Sequence, residues 1–280
     1  MEIAVTGGSG RLGSTLIERL LEHGHTVRSL DRVPPKAPPA PDAKVRFIHV
    51  DLTNLPAVTE AFAGCDAVAH MAAYPGPQFD PPGIVYTNNT IASYNVLRAA
   101  LTLGIKRVCL ASSINAIGGL GSPAGRFDYF PIDEKHPTHN ADDYSLGKWV
   151  MEQQADSFAR RCPDMTISSL RFHALPDNPP ELVHELADAT HGSARGVWGW
   201  TLISEAARAC ELAIHAKFTG HEAFFIVAGR TSSSIPTLQL AAHAYPDVPI
   251  RGDLSGHKSF YDCGKAARLI GWVHKECQLT

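Results

Sequence analysis

Through the first 170 positions, short runs of aliphatic and β-branched residues alternate with stretches whose apolar side chains recur every three or four residues. Ile3 to Thr6 reads as a first strand. After a cluster of glycines, Leu12, Leu16, Ile17, Leu20 and Leu21 fall on one helical face, and Gly24 stands where a helix end adopts a left-handed residue. Further strands are expected at Thr26 to Leu30, Val45 to Val50, Ala67 to Ala72, Arg107 to Ser112 and Thr166 to Arg171. The intervening helices are expected at Leu55 to Phe62, Thr87 to Leu103 and Asp143 to Arg161. Strands alternating with helices are the pattern of βαβ units, so the fold class is α/β with a doubly wound parallel sheet.

The pattern changes after Phe172. His173 to Gly199 mixes Pro, Gly, His and Trp without a period and reads as a substrate-facing segment. Phe224 to Ala228 is expected to be one more strand, with short helices filling the remainder. The expected organisation is a dinucleotide-binding part, 1–172, that also carries the chemistry, and a small C-terminal part, 173–280, that is mostly substrate-binding but returns elements to the first. Pro34 to Pro41 (PPKAPPAP) is mostly proline, which lacks a backbone donor, and so reads as a surface loop.

Composition narrows the partners. A chain of 280 residues with 44% hydrophobic and 19% charged residues can bury a large core. A net charge of -3 gives no reason to expect nucleic acid or an anionic membrane surface, which leaves small molecules. The 6 cysteines form no CxxC pair, and no Cys/His spacing suits zinc, so they read as reduced thiols of a cytoplasmic protein, with no metal expected. The 14 histidines are dispersed. The first residues run straight into a strand, leaving no room for a signal peptide, and no apolar stretch is long enough to span a bilayer.

The segment Thr6-Gly-Gly-Ser-Gly-Arg-Leu-Gly13 follows a strand and opens a helix. Gly7, Gly8, Gly10 and Gly13 allow the tight turn and close approach of backbone to a pyrophosphate, and the helix N-terminus offers N–H groups to the anion. Asp31 ends the second strand about 20 residues on, where a carboxylate accepts hydrogen bonds from the ribose hydroxyls of the adenosine. The pair points to a Rossmann-like fold binding NAD. An Asp at this place repels a ribose phosphate, although Arg32 beside it keeps NADP as the minority reading.

Tyr144 and Lys148 are four apart in a helical stretch and project from one face about 5–6 Å apart. The Lys charge is expected to lower the phenol from its ordinary value of about 10 and make Tyr144 a general base. YxxxK also occurs on helices by accident, and here the run Val108 to Ser113 gives it company, ending a strand with two hydroxyls at the carboxyl edge of the sheet. Ser113 can donate to a substrate oxygen; Ser112 and Ser113 can equally serve as caps.

The ordered set TGGSGRLG, Asp31, Asp51-Leu52, His70-Met-Ala-Ala73, Asn88-Asn89, Ala111-Ser-Ser113, Tyr144xxxLys148 and Leu170-Arg-Phe172 resembles the extended short-chain dehydrogenase/reductase family, also called the NAD-dependent epimerase/dehydratase family. The resemblance implies a cofactor site formed by Gly7, Ser9, Gly10, Arg11, Leu12 and Gly13 at the pyrophosphate, with Asp31 and Arg32 beyond them. Asp51 and Leu52 would flank the adenine. Met71, Ala72, Ala73 and Ala111 would line the cofactor, Asn89 would sit near the nicotinamide ribose, and Phe172 and His173 would meet the nicotinamide. Ser113, Tyr144 and Lys148 match the catalytic triad, and Tyr144 and Lys148 would also contact the cofactor. Read from the residues alone, Met71 and Ala72 serve equally as core, and Asn89 as a helix-start residue.

Trp198 stands where the UDP-galactose 4-epimerase branch carries a phosphate-binding Arg, and the length together with the Ser112 to Gly118 run is more similar to uronate and other sugar dehydrogenases. There, an Arg in the C-terminal segment grips a carboxylate, a role open to Arg195, which can also be a solvated loop residue. Ile114 replaces a substrate-binding Asn, with Asn115 following. Tyr74, Ser113, Asn115, His173 and Arg195 are the expected substrate contacts. The expected activity is NAD-dependent oxidation or reduction of a secondary alcohol or lactol on a small sugar-like metabolite. The alternatives are an epimerase or dehydratase that retains its NAD and a non-catalytic dinucleotide sensor. Apolar residues beyond one face of two helices (Val96, Leu97, Leu101; Trp149, Val150, Phe158) fit a homodimer or burial within one subunit.

Overall fold

The structure, a computed structural model, describes residues 1–36, 44–76, 83–118, 126–190 and 192–275. The proline loop from residue 37 onward and Cys277 lie outside them. Among the described residues, seven strands form one fully parallel sheet: β1 (Glu2–Thr6), β2 (Thr26–Asp31), β3 (Val45–His49), β4 (Ala67–His70), β5 (Arg107–Ser113), β6 (Thr166–Phe172) and β7 (Gly220–Ile226), in the order β3-β2-β1-β4-β5-β6-β7. The chain steps outward from β1 through β2 to β3, then resumes on the other side of β1 with β4. The loops leaving β1 and β4 therefore diverge, and a crevice opens between them at the carboxyl edge of the sheet.

Among the described residues, eight helices surround the sheet: α1 (Arg11–Glu22), α2 (Leu55–Phe62), α3 (Ile84–Leu103), α4 (Asp143–Arg161), the single turn α5 (Gly192–Arg195), α6 (Ile203–Ile214), α7 (Thr237–Ala244) and α8 (Gly264–Ile270). Alternate strand residues feed opposite faces. Ile3, Val5 and Val27 join α1 and α6 in one core, whereas Ala4, Leu30, Val68 and Val108 join α2, α3 and α4 in the other. A third core, built around Phe130, Trp198, Phe225, Tyr245 and Phe260, holds the C-terminal part against β7 and the turn after β5.

Three boundaries differ most from the sequence pattern. α3 begins at Ile84, three residues before Thr87. β4 ends at His70, so Met71 and Ala72 leave the sheet, although the Met71 N–H still donates to the Thr6 carbonyl at 3.1 Å. β7 begins at Gly220, not near Phe224. Its first four residues lie half-buried on the outermost strand and carry no apolar run to announce them. The α4 start was legible: Asp142 caps it, accepting from Ser145 N at 2.9 Å and from the Ser145 hydroxyl.

Candidate active site

The turn from β1 into α1 is packed to the limit that glycine allows. A Cβ on Gly7, whose φ is +69°, would lie 2.6 Å from the Ala72 nitrogen, and one on Gly13 would lie 2.0 Å from the Gly7 carbonyl oxygen. Gly10 caps α1 with no side-chain hydrogen bond, so the first-turn N–H groups of the helix are left to serve a ligand. This cradle fits the pyrophosphate of a dinucleotide: backbone alone approaches the cavity, positive partial charge faces it, and no Cβ fills it.

Two cavities meet at this turn and share Gly7, Gly10, Met71 and Ala73 on their walls. One, of about 170 Å³, runs over β2 past Asp31, Arg32, Asp51 and Leu52. Asp31 is pinned at its rim by two backbone donors, Ser9 N and Val33 N, each at 3.1 Å, and the Ser9 hydroxyl reaches the Val33 carbonyl. Hydrogen bonds from the Thr53 backbone and then its hydroxyl hold the Asp51 carboxyl below its ordinary value. The other cavity, of about 440 Å³, runs toward the ends of β5 and β6 and is lined by Arg11, Leu12, Ala111, Ser113, Tyr144 and Lys148, among others. Arg11 closes its side, donating to the Leu175 carbonyl at 3.0 Å and pairing with Asp177.

At the floor, Ser113 ends β5 and Tyr144 opens α4, so the sheet edge and a helix start bring them together. The Ser113 hydroxyl accepts from Asn115 N at 3.1 Å and faces the Tyr144 phenol across the same cavity wall. Lys148, one turn on, is buried, donates to the Ala111 carbonyl at 2.5 Å and lies 5.6 Å from the centre of the Tyr144 ring. Its ammonium is drawn down to about 8 by burial, against the pull of Glu152. The phenol moves the opposite way from the sequence expectation. Burial raises Tyr144, the Ser113 hydroxyl only partly offsets this, and Lys148 lies against the ring face while its protons go to a carbonyl.

Beneath this set lies a buried network that the sequence reading did not single out. Glu152, one turn beyond Lys148, receives two guanidinium hydrogen bonds from Arg171 at 3.0 and 2.7 Å and the Ser112 hydroxyl at 2.6 Å. A polar stripe at Tyr144, Lys148 and Glu152, each four apart, was the available signal. His70, bonded to the Thr6 hydroxyl at 2.8 Å, is held neutral by burial and then by Lys148, at about 3.

His173 lines the larger cavity, but both its nitrogens are engaged. Nδ1 accepts from Ala174 N at 2.7 Å, so Nε2 carries the proton and donates to the Gly196 carbonyl at 2.9 Å. Burial lowers its pKa to about 4, leaving a neutral ring with no proton to trade near pH 7. Val197 and Trp198 follow with φ of 45° and 51°, a strained conformation for non-glycine residues, and a Cβ on Gly199 would sit 2.7 Å from the His173 ring.

Phe172, at the end of β6, also lines the larger cavity, and Ala72 the smaller one. Asn89 lies behind the wall: its amide clasps the Tyr74 backbone, accepting from Tyr74 N at 2.9 Å and donating to the Tyr74 carbonyl at 3.1 Å. The neighbouring Asn88, together with Pro75, Ser112 and Leu175, lines the cavities instead. Tyr74 turns its ring under Arg32, whose guanidinium is 5.4 Å from the ring centre and donates to its hydroxyl at 3.1 Å. Asn115 stands on the 3-10 turn Ile114–Ile117, and Arg195 ends α5 close to Tyr245. Neither is on the walls of these two cavities.

A family model described as NAD dependent epimerase/dehydratase family matches residues 3–188. Among curated proteins, the UDP-glucose 4-epimerase of Corynebacterium glutamicum is 27% identical over 174 residues, covering 61% of this chain and 50% of that protein. The chain spans about half the length of the curated relatives it matches. Among solved structures, a mutated uronate dehydrogenase superposes with a TM-score of 0.70 at 22% identity, covering 98% of this chain and 82% of that one. MoeE5, solved with UDP-glucose and NAD, superposes with a TM-score of 0.71 at 22% identity, covering 99% and 95%. At such identities the structures share the fold, and the two scores do not separate a uronate dehydrogenase from a nucleotide-sugar binder.

Proposed function

The chain belongs to the NAD dependent epimerase/dehydratase family, and from that membership and the site geometry we propose that it is an extended short-chain dehydrogenase/reductase using NAD to interconvert a secondary alcohol or lactol and a carbonyl on a small sugar-like metabolite. The observation that carries the reading is the convergence of Ser113, Tyr144 and Lys148, the lysine over the tyrosine ring, on one cavity whose wall also holds the glycine turn. NAD, when bound, supplies the hydride acceptor. The first turn of α1 holds the pyrophosphate, and Asp31 accepts from the ribose hydroxyls and disfavours an added phosphate, so NAD is preferred over NADP. Ser113, already accepting from Asn115 N, has its own proton to donate to the substrate oxygen, and Tyr144 takes the proton of the reacting hydroxyl. Lys148 keeps a positive charge near the phenolate as it forms. His173 shapes the wall as a neutral ring, and Asn115 and Arg195 are proposed substrate contacts on resemblance alone.

An epimerase that retains its cofactor is the second reading, supported by the Corynebacterium glutamicum relative. Both are tested by purifying the chain, identifying any dinucleotide that comes with it, and following NADH absorbance with uronates, aldoses, secondary alcohols and UDP-sugars. The dehydrogenase reading expects stoichiometric NADH formation; NAD that co-purifies and is never consumed while a sugar inverts favours the epimerase. No turnover that depends on Tyr144 on any substrate defeats both.

We further propose a homodimer through α3 and α4. Val96, Leu97 and Phe158 are buried in the chain's own core, but Ile91 and Tyr94 on α3 are exposed, at 46% and 41%, and supply an apolar face for the contact. Size-exclusion chromatography with light scattering is expected to give twice the chain mass, and a monomer rejects the pairing. The five described cysteines are unbridged, which supports a reducing, cytoplasmic setting; among the described residues no helix is long and apolar enough to cross a membrane.

A further inference from the structure

At the edge of the sheet opposite the cleft, where β2 is about to begin and α6 ends, His25, Glu211 and His215 each bring one ligand atom to within 4.8 Å of the others. The sequence expectation of no metal rested on Cys/His spacing. This group escapes such spacing because His25 lies far along the chain from the Glu211/His215 pair, which shares a face of α6 and its cap. We propose that these three residues bind a transition-metal dication of the zinc class and so clamp the end of α1 to the end of α6.

Four independent features favour a cation of that chemistry. Two imidazole nitrogens and one carboxylate oxygen form a borderline donor set that suits Zn²⁺ and Co²⁺ and is wrong for Mg²⁺ or Ca²⁺, which want oxygens. Two helices end here, α1 with His23 as its cap residue and α6 with His215, so two negative dipole ends converge on the site. The carboxylate is buried and already oriented: Arg19 Nε donates to Glu211 Oε2 at 2.7 Å, and His23 Nδ1 bonds the other oxygen. The His25 and His215 rings lie with centroids 5.3 Å apart and a tilt of 33°, close enough for both to turn toward one ion. Metal bonds of about 2.0–2.2 Å require the trio to draw in by roughly an ångström, and the exposed His215 has the freedom to do so.

The charged groups facing the trio are Arg19, His23 and the N-terminal amine. The twelve residues of α1 put about 18 Å between this cluster and the glycine turn, so the ion's effect falls on stability and not on the chemistry.

The test uses the untagged full chain, stripped with chelator and titrated with ZnCl2 by calorimetry and with CoCl2 by visible absorption. The expected result is one ion per chain, a melting temperature that rises with zinc but not with MgCl2, and at least tenfold weaker binding in both His25→Ala and His215→Ala. His215 is exposed, so His215→Ala serves even where His25→Ala folds poorly. NAD binding by both variants should equal that of the parent without metal. Absence of saturable one-ion binding, or binding of parental strength in the His25→Ala/His215→Ala double variant, overturns the proposal.

Discussion

Tyr144→Phe is expected to lower kcat by about 10²–10⁴-fold while leaving NAD affinity unchanged, because the substitution removes only the atom that moves the proton. The ring stays half-buried against Lys148, and the cofactor cradle depends on the glycines, which the change does not touch. Stopped-flow or steady-state NADH absorbance gives the first quantity, and quenching of intrinsic fluorescence by NAD the second. A variant that keeps turnover within tenfold of the parent removes Tyr144 from the role of base. The pH profile adds a second constraint. Burial holds the phenol above its ordinary value and draws the Lys148 ammonium down to about 8, so Lys148 carries its charge below that pH and loses it as pH rises through it. The charge that supports a forming phenolate is therefore present below about 8 and lost above it, so oxidation should fall off as pH rises through that value. In Lys148→Met that fall near 8 should be absent.

The glycine turn, Asp31 and the Ser113, Tyr144, Lys148 set were legible because each is a short-range pattern tied to an element whose period the chain displays. Four residues on a helix fix a shared face, and a strand followed by glycines fixes a turn. The direction of the Tyr144 shift was not legible, since spacing places a charge near a ring but says nothing about how much water surrounds the phenol or which acceptor takes the lysine's protons. His173 illustrates the same gap. Its position at the end of β6 was readable, but its tautomer is set by the Gly196 carbonyl, 23 residues away across an irregular loop. Asn89 and Asn88 show how narrow the margin is: adjacent positions on α3 divide the work, one fastening the Tyr74 backbone and the other facing the cavity. The early half of β7 escaped because an outer strand with half-buried polar residues has no apolar period to read.

Glu152→Ala should be the most destabilising single change near the site, at about 3–5 kcal/mol, because it strands the Arg171 guanidinium in the protein interior. The pair is deeply buried, with side chains 8% and 4% exposed, and the carboxylate is also the acceptor for Ser112. One guanidinium nitrogen of Arg171 has no hydrogen-bond partner, so after the loss of Glu152 only the Phe225 ring, with its centre 5.1 Å away, and the more distant charge of Glu134 remain to compensate it. Thermal unfolding should fall by roughly 10 °C. A Glu152→Met/Arg171→Met double variant removes both charges at similar volume and should recover most of the loss, since a buried ion pair exchanged for apolar side chains costs little. Recovery of stability need not bring back the chemistry. Glu152 is the group that raises Lys148 against its burial, so without it the lysine loses its proton at lower pH, and the fall of oxidation with rising pH should begin at lower pH in the double variant even though the fold is restored. A double variant with parental melting and a parental pH profile would show the pair to be structural only, whereas parental melting with a shifted profile separates its two roles: holding α4 against β5 and β6, and setting the charge of Lys148 beneath Tyr144.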